Sequence, residues 1–437
     1  MLKQLVYYVG REKFFQGINQ YLNKYAYSNA TLADLLHELE KASGRDLKAW
    51  SAKWLEESGI NTIATEVEEN ADGTIASLTL NQTAPAEHPV LRPHRLAVGF
   101  YDEDPATGKI VRTDRFELDV DGESTVVAAA AGKKRPAFIL VNDDDLTYTK
   151  LRFDADSLSF ALANLQRFDD ALARAVVWLS LWDMTRDGDL AAEKFIDTTL
   201  ALLATETEST TFRYALSCMS TTAWHYTAPD RRADVVKHVA KELWKLVIAA
   251  PGGSDQQFQL VTAYLGYGEE GDAEFAEHAQ GLFDGSLIVA GLEIDNNFTW
   301  TIINALSSVK LIDQAGIDAQ LAKRDTTENR EFALGAHAVR GDAAAKEWAW
   351  IEALNNADLT NMRWRPWPAG SAPRRAPTWP SRTPPSTTTW STGCGSNKSF
   401  HMAEALLEGL YPYYADPATL VELGHRWLAD HEDADNA

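Results

Sequence analysis

Cysteine is scarce in this chain: Cys218 and Cys394 are the only two among 437 residues. Two thiols cannot build a disulfide framework, so a small cross-linked scaffold is excluded and a reducing compartment is expected. Cys218 lies in the apolar run FRYALSCMS, where a thiol packs as a small hydrophobe. Long hydrophobic runs are missing as well. No stretch approaches the ~18 apolar residues needed to cross a bilayer. The opening MLKQLVYYVGREKFF is broken by Arg11, Glu12 and Lys13, which fits neither a signal peptide nor a span. The Asn29 and Asn81 sequons therefore carry little weight, because glycosylation requires secretion. Positive charge is the third shortage: 41 Lys and Arg stand against 63 Asp and Glu, a net charge of −22. Such a surface repels phosphate backbones and anionic headgroups, so neither nucleic acid nor membrane is expected as a partner, and a cytoplasmic location is.

What is present is a folding chain. A hydrophobic fraction of 45% supports sizeable cores, and the length calls for two or three domains. Residues 11 to 59 read as three helices. Phe14, Ile18, Tyr21, Leu22 and Tyr25 share one face of the first. Thr31 with Asp34 forms a capping box ahead of Leu32, Leu35, Leu36 and Leu39, and Gly44 suits the C-terminal cap. Asp46 then caps a helix carrying Leu47, Trp50, Trp54 and Leu55, which Gly59 ends. Between 62 and 150 the period falls to two, with Leu78 and Leu80, then Leu96, Val98 and Phe100, then Phe116, Leu118 and Val120. Gly73, Gly108 and Gly122 mark turns, and short strands so separated predict a β-sandwich. From about 151 helical spacing returns, as in Leu172, Ala175, Val176 and Leu179, and in Val235, Val236, Val239, Leu243 and Val247. The expected fold is multidomain α+β: a short helical portion at 1–61, the sandwich at 62–150, and a large all-α solenoid of HEAT-like character at 151–437.

One segment departs from this pattern. Residues 361–399 hold 7 of the 16 prolines and 4 of the 14 tryptophans, with five arginines and no Asp or Glu. A Pro-rich linker is one reading. Trp364, Trp367, Trp379 and Trp390 speak against it, because linkers are poor in aromatics. GC-rich coding DNA read in the wrong phase yields Arg, Pro, Ala, Trp, Ser and Thr, so a frame slip beginning near Met362 and corrected before Lys398 is the second reading.

LKQLVYYVGREKFFQGINQYLNKYAYSNATLADLLHELEKASGRDLKAWSAKWLEESG, Leu2 to Gly59, resembles the last helices of the catalytic domain in bacterial aminopeptidase N-type zinc metallopeptidases, the gluzincin aminopeptidase family. RPHRLAVGFYD at Arg92–Asp102 and VNDDDLTYTKLRFD at Val141–Asp154 are similar to strands of that family's sandwich. AVVWLSLWDMTRDGDL at Ala175–Leu190 is similar to the opening of its helical region. The resemblance implies removal of single amino acids from peptide N-termini with one zinc ion. It implies a G-x-M-x-N loop, an H-E-x-x-H helix, a further Glu ligand and a Tyr, all upstream of the segment matched by Leu2. Tyr7 and Tyr8 do not take that Tyr's role. No H-E-x-x-H occurs in the chain, so no catalytic, cofactor-binding or metal residue is assigned and no cofactor is expected here, zinc belonging to the full-length family. Peptides, and the missing catalytic half, are the expected partners.

Other signals are weaker. His37-Glu38 starts a zinc helix, but Lys41 holds the position of the second imidazole. His401 with Glu404, and His425 with His431, lack an assignable third ligand. Gly266 to Gly271 spells G-x-G-x-x-G after a helical rather than a β segment, with Glu269 and Glu270 where a pyrophosphate would sit. Asp143, Asp144 and Asp145 lack the alternating spacing of a calcium loop and read as a turn. No G-x-S-x-G elbow anchors a serine nucleophile. Arg186 in WDMTR either pairs with a peptide carboxylate, as the resemblance allows, or stabilises a helix C-terminus. If a catalytic domain once packed on residues 1–60, apolar area from Phe14, Tyr21 or Trp50 should be left uncovered. The frame question has a direct test. Resequencing the gene is expected to reveal a shifted phase between Met362 and Lys398; an intact frame encoding the same residues would sink the idea.

Overall fold

The computed structural model of the chain describes residues 2–340, 342–355 and 417–430. It divides into two compact units, Met1–Thr222 and Ala223–Ala437. The anomalous stretch 361–399 and the motif around His401 lie outside the described residues.

The first unit opens with helices α1 (Leu2–Val9), α2 (Arg11–Lys24), α3 (Leu32–Ser43) and α4 (Leu47–Ser51), the last running into a π turn at Ala52–Glu56. Their ends follow local chemistry. The Thr31 hydroxyl accepts from the Asp34 amide while the Asp34 carboxylate accepts from Thr31, and Gly44 closes the helix in the left-handed region at φ 73°. Asp46 caps α4 through the Ala49 amide at 2.9 Å. Leu5, Val9, Phe14, Leu36, Leu39, Leu47, Trp50 and Trp54 form one core. This corrects the expectation of an uncovered Phe14 and Trp50, which are 6% and 2% exposed. Both point into the helices' own interior, with Trp50 against the rings of Tyr8 and Trp54. The uncovered apolar side chains are instead Leu2, Phe15, Leu22, Tyr27, Leu32 and Leu55. Leu22 was expected on the buried face of α2; the close approach of α2 to α3 at Gly17 turns that face toward Phe14 and Gly17.

Two sheets follow. The first has strand order β5-β2-β1-β7 and the second β4-β3-β6, with β1 Thr62–Glu69, β2 Ile75–Thr83, β3 His94–Glu103, β4 Ile110–Val120, β5 Ser124–Val126, β6 Phe138–Val141 and β7 Lys150–Arg152. β1 runs antiparallel to β2 from Thr62↔Thr83 and parallel to β7 from Thr62↔Lys150. β3 pairs with β4 from His94↔Val120 and with β6 from Val98↔Val141. Ile63, Leu78, Leu80, Leu96, Val98 and Phe100 lie inside, and β3, with Ala97 at 0% and Tyr101 at 1% exposure, is covered on both faces. Phe116 and Leu118, on the edge strand β4, are half-buried. That edge bears Arg112, Asp114, Arg115, Glu117 and Asp119, a charged row that discourages pairing with another chain.

The helical part of the first unit comprises α5 (Ala155–Asn164), α6 (Ala171–Arg186), α7 (Ala192–Leu203) and α8 (Ser209–Thr221). α6 is apolar nearly all round, so spacing alone misjudged its buried face. Trp178, Leu181 and Met184 are inside, whereas Leu172 and Leu179 are exposed. A bidentate pair between Arg174 and the buried Glu206, at 3.1 Å for both contacts, pins α6 to the turn after α7. Burial pushes the Glu206 pKa up; the Arg174 bonds outweigh it, and the carboxyl stays below its ordinary value.

The second unit holds α9 (Arg232–Ala249), α10 (Asp255–Leu265), α11 (Ala273–Asp284), α12 (Asn296–Ser308), α13 (Gln314–Lys323), α14 (Thr327–Val339), α15 (Ala343–Asn355) and a further helix at Pro417–Asp430. Neighbours pack in sequence, α9 on α10, α11 on α12 and α13 on α14. Val235, Val236, Val239, Leu243 and Val247 are buried along α9, as their spacing predicts.

The junction between the opening helices and the sheets depends on Arg92, 2% exposed. Its guanidinium donates to the carbonyls of Lys53 at 2.8 Å, Glu57 at 2.8 Å and Ser58 at 2.9 Å. Arg92→Met should remove the donor of all three bonds from this part-buried junction and cost about 2 kcal/mol, read as a lower urea midpoint at unchanged m-value.

Candidate functional site

The sequence's best approach to a zinc helix is His37-Glu38 on α3. The His37 side chain is exposed, whereas Glu38 is buried with Lys24 Nζ at 2.7 Å and Lys41 Nζ at 3.2 Å. Lys24 is the main reason the Glu38 carboxyl lies below its ordinary pKa. A carboxylate neutralised by two ammonium groups is a poor base for a metal-bound water, and the residue at the second-imidazole position is itself one of those ammonium groups. Glu38 holds α2 and α3 together.

Asp143 and Asp144 are likewise engaged. Asp143 accepts from the Tyr101 hydroxyl at 2.7 Å and from Arg112 at 2.7 Å. Asp144 accepts from Arg112 at 2.9 Å and Arg115 at 2.8 Å. Asn142, Asp144 and Asp145 adopt φ of 60°, 64° and 54°, a left-handed turn that Asn and Asp tolerate best among residues with a Cβ. A Cβ on Gly99 would lie 2.5 Å from the Asp143 carboxylate, so glycine is what lets β3 pass so close.

Gly266 to Gly271 follows helix α10, and Gly266 is its C-cap. Gly268 packs on the Phe275 ring, 2.3 Å from where its Cβ would be. Arg186 sits in the last turn of α6, 54% exposed, 3.9 Å from Asp183 and 5.9 Å from the Trp182 ring centroid. Cys218 is buried, and that burial pushes its thiol up to about 11, which keeps it protonated and unreactive at neutral pH. His425 is exposed on its helix, while Glu404, His431 and Cys394 lie outside the described residues. Among the described residues no group of three His, Cys, Asp or Glu is placed to hold a metal ion.

Comparison with known proteins resolves the ancestry. Residues 138–437 match the ERAP1-like C-terminal domain, and residues 1–54 match the peptidase family M1 domain. The chain belongs to the M1 peptidase family. It is similar to Aminopeptidase N of Streptomyces lividans, 39% identical over 83% of this chain and 42% of that protein. It is also similar to mitochondrial Aminopeptidase 2 of Saccharomyces cerevisiae, 29% identical over 36% of this chain and 17% of that protein. A third relative is the alanine/arginine aminopeptidase of the same yeast, 33% identical over 16% of this chain and 8% of that protein. This M1 family member thus spans less than half the length of the curated relatives it matches.

The family implies zinc. The described residues of this M1 chain do not fit it, because His37 has no imidazole partner one turn away and Glu38 is committed to Lys24 and Lys41.

Sequence reasoning passed over the buried polar groups that organise the first unit. His94 is fully buried, with Nδ1 2.8 Å from the Thr147 hydroxyl and Nε2 2.8 Å from Gln82 Oε1. An amide oxygen only accepts, so Nε2 carries the hydrogen and Nδ1 accepts from Thr147. Nothing in the spelling around His94 marks this. Burial, with a smaller push from Arg92, takes its pKa down to about 3 from an ordinary 6.5. The unfolded chain therefore binds a proton that the folded chain refuses between those values, and stability is lost as pH falls through that window. The urea midpoint is expected to drop between about pH 7.5 and about pH 5, and His94→Gln should flatten that drop. An identical pH slope in the variant would overturn the assignment.

Proposed function

We propose that this chain is the C-terminal part of an aminopeptidase N-type metallopeptidase that removes N-terminal amino acids from peptides. On this reading the zinc chemistry resides in sequence outside these residues. The observation that carries it is the order of the matches, a peptidase family M1 segment at 1–54 followed by the ERAP1-like C-terminal domain at 138–437. Three domains are part of this reading, at 1–61, 62–150 and 151–437, the last a solenoid forming one wall of a chamber that holds the peptide. The cytoplasm is the proposed location, in keeping with two cysteines and a net charge of −22.

Alone, the chain should be inactive. An enzymatic rate requires at least ~8 kcal/mol of transition-state stabilisation. Neither Glu38, tied to two lysines, nor Cys218, buried and protonated, is available to supply it. Purified protein incubated with aminoacyl-nitroanilides and added zinc is expected to release no nitroaniline; chelator-sensitive release would refute the reading.

A second reading, one partner of a split enzyme, is favoured by the exposed Leu2, Phe15, Leu22, Tyr27 and Leu32, at 66%, 57%, 61%, 109% and 52%; a non-catalytic peptide-binding scaffold is the other alternative. Phe15 and Leu22 lie two turns apart on α2 and share a face. A polypeptide carrying an H-E-x-x-H catalytic half should co-elute with the chain, and Phe15→Asp with Leu22→Asp should abolish that co-elution. Independent elution of the unaltered chain would leave the scaffold reading.

A further inference from the structure

From Leu246 to Val309, 64 residues, the sequence has nine Asp or Glu and no Lys or Arg. A chain with 41 Lys and Arg in 437 residues would place about six there. This stretch supplies α10, α11 and α12, the turn before α10 and the loop between α11 and α12. A whole sector of the second unit therefore carries fixed negative charge with no fixed cation of its own. Lys310, the residue after it, pairs with Glu270 at 3.0 Å. Asp284, Glu293 and Asp295 are exposed, and among the described residues no ion pair engages them.

The same sector exposes apolar side chains: Ile288 at 86%, Ile248 at 58%, Phe258 at 46% and Ile294 at 38%. Backbone packing gathers the segments that bear them at one end of the helices. The buried Gln257 donates from Nε2 to the Val247 carbonyl at 3.4 Å and the Ala290 carbonyl at 3.2 Å, and its Oε1 accepts from the Gly253 amide at 2.9 Å. A Cβ on Gly291 would lie 2.3 Å from the Gly252 carbonyl carbon. The loop and the turn are thus in direct main-chain contact, which only glycine permits. The Phe258 ring lies 5.2 Å from that of Phe298, in the first turn of α12 and four residues after Ile294.

We propose that this end of the second unit is a docking surface for a cationic polypeptide segment with aliphatic side chains between its lysines or arginines. Exposed aliphatic groups beside unpaired carboxylates are complementary to such a segment, and like-charge repulsion rejects an acidic one. The aminopeptidase reading is not required, since no metal and no bond cleavage enter.

The test is fluorescence anisotropy on the full chain with two labelled peptides of equal length, one alternating Lys and Leu, the other Glu and Leu. The Lys peptide is expected to bind, weakening about tenfold between about 50 and about 300 mM salt, while the Glu peptide does not bind. Ile288→Ser, in an exposed loop, should weaken binding about tenfold. Asp284→Asn with Glu293→Gln should weaken it and flatten the salt dependence. Asp121→Asn with Glu123→Gln, exposed in the first unit, should leave affinity unchanged. Equal binding of both peptides, no binding of the Lys peptide, or the same loss from both carboxylate pairs would overturn the proposal.

Discussion

A buried arginine that donates its hydrogen bonds to main-chain carbonyls organises the junction of the opening helices and the sheets. Arg92 spends its charge on main-chain oxygens at the end of the π turn, while its guanidinium carbon lies 5.4 Å from the Trp54 ring centroid. Burial works against the charge, lowering its pKa. The arrangement persists because carbonyls left by a terminating helix need donors, and a planar fork of N–H groups serves three at once. Around it, Trp54 Nε1 donates to the Pro93 carbonyl at 3.1 Å, and Asn61 Nδ2 donates to the Val90 carbonyl at 2.8 Å. The Asn61 carbonyl in turn accepts from the Lys150 amide and the Thr149 hydroxyl. Helices, both sheets and the exit strand thus meet at a few polar side chains, which ties the M1-like segment to the sheets that follow.

The charged residues of this unit serve cohesion. Glu38, Asp143, Asp144 and Glu206 are each answered by Lys or Arg from another element or turn. Glu38, Asp144 and Glu206 are held below their ordinary pKa by these partners, the reverse of what a general base needs. The second unit differs. Between Leu246 and Val309 the sequence contains nine acids and no lysine or arginine, and of these acids Glu270 is answered by Lys310 from just beyond the stretch.

Much of this was legible in the residues. The capping box of Thr31 and Asp34, the glycine turns at 73, 108 and 122, and the alternation through Leu96, Val98 and Phe100 are local patterns governed by hydrogen bonds and side-chain period. The burial of Val235 to Val247 is of the same kind. Local patterns failed where more than one face was apolar. Trp50 and Phe14 are consumed by their own helices, Leu22 points outward, and α6 turned a different stripe inward than Leu172 and Leu179 suggested.

Sequence by itself determined the family, the order of helical and β segments, and the lack of an H-E-x-x-H motif, because motifs and periodicity are properties of neighbouring residues. Only the tertiary structure decided which charges are answered. It brought Arg92 to Lys53 and Glu57, His94 to Gln82 and Thr147, and Ala290 to Gln257, pairs separated by 12 to 53 positions. Desolvation, which sets both the His94 pKa and the role of Arg92, depends on what closes over a side chain from distant parts of the fold, and no spacing along the chain encodes that.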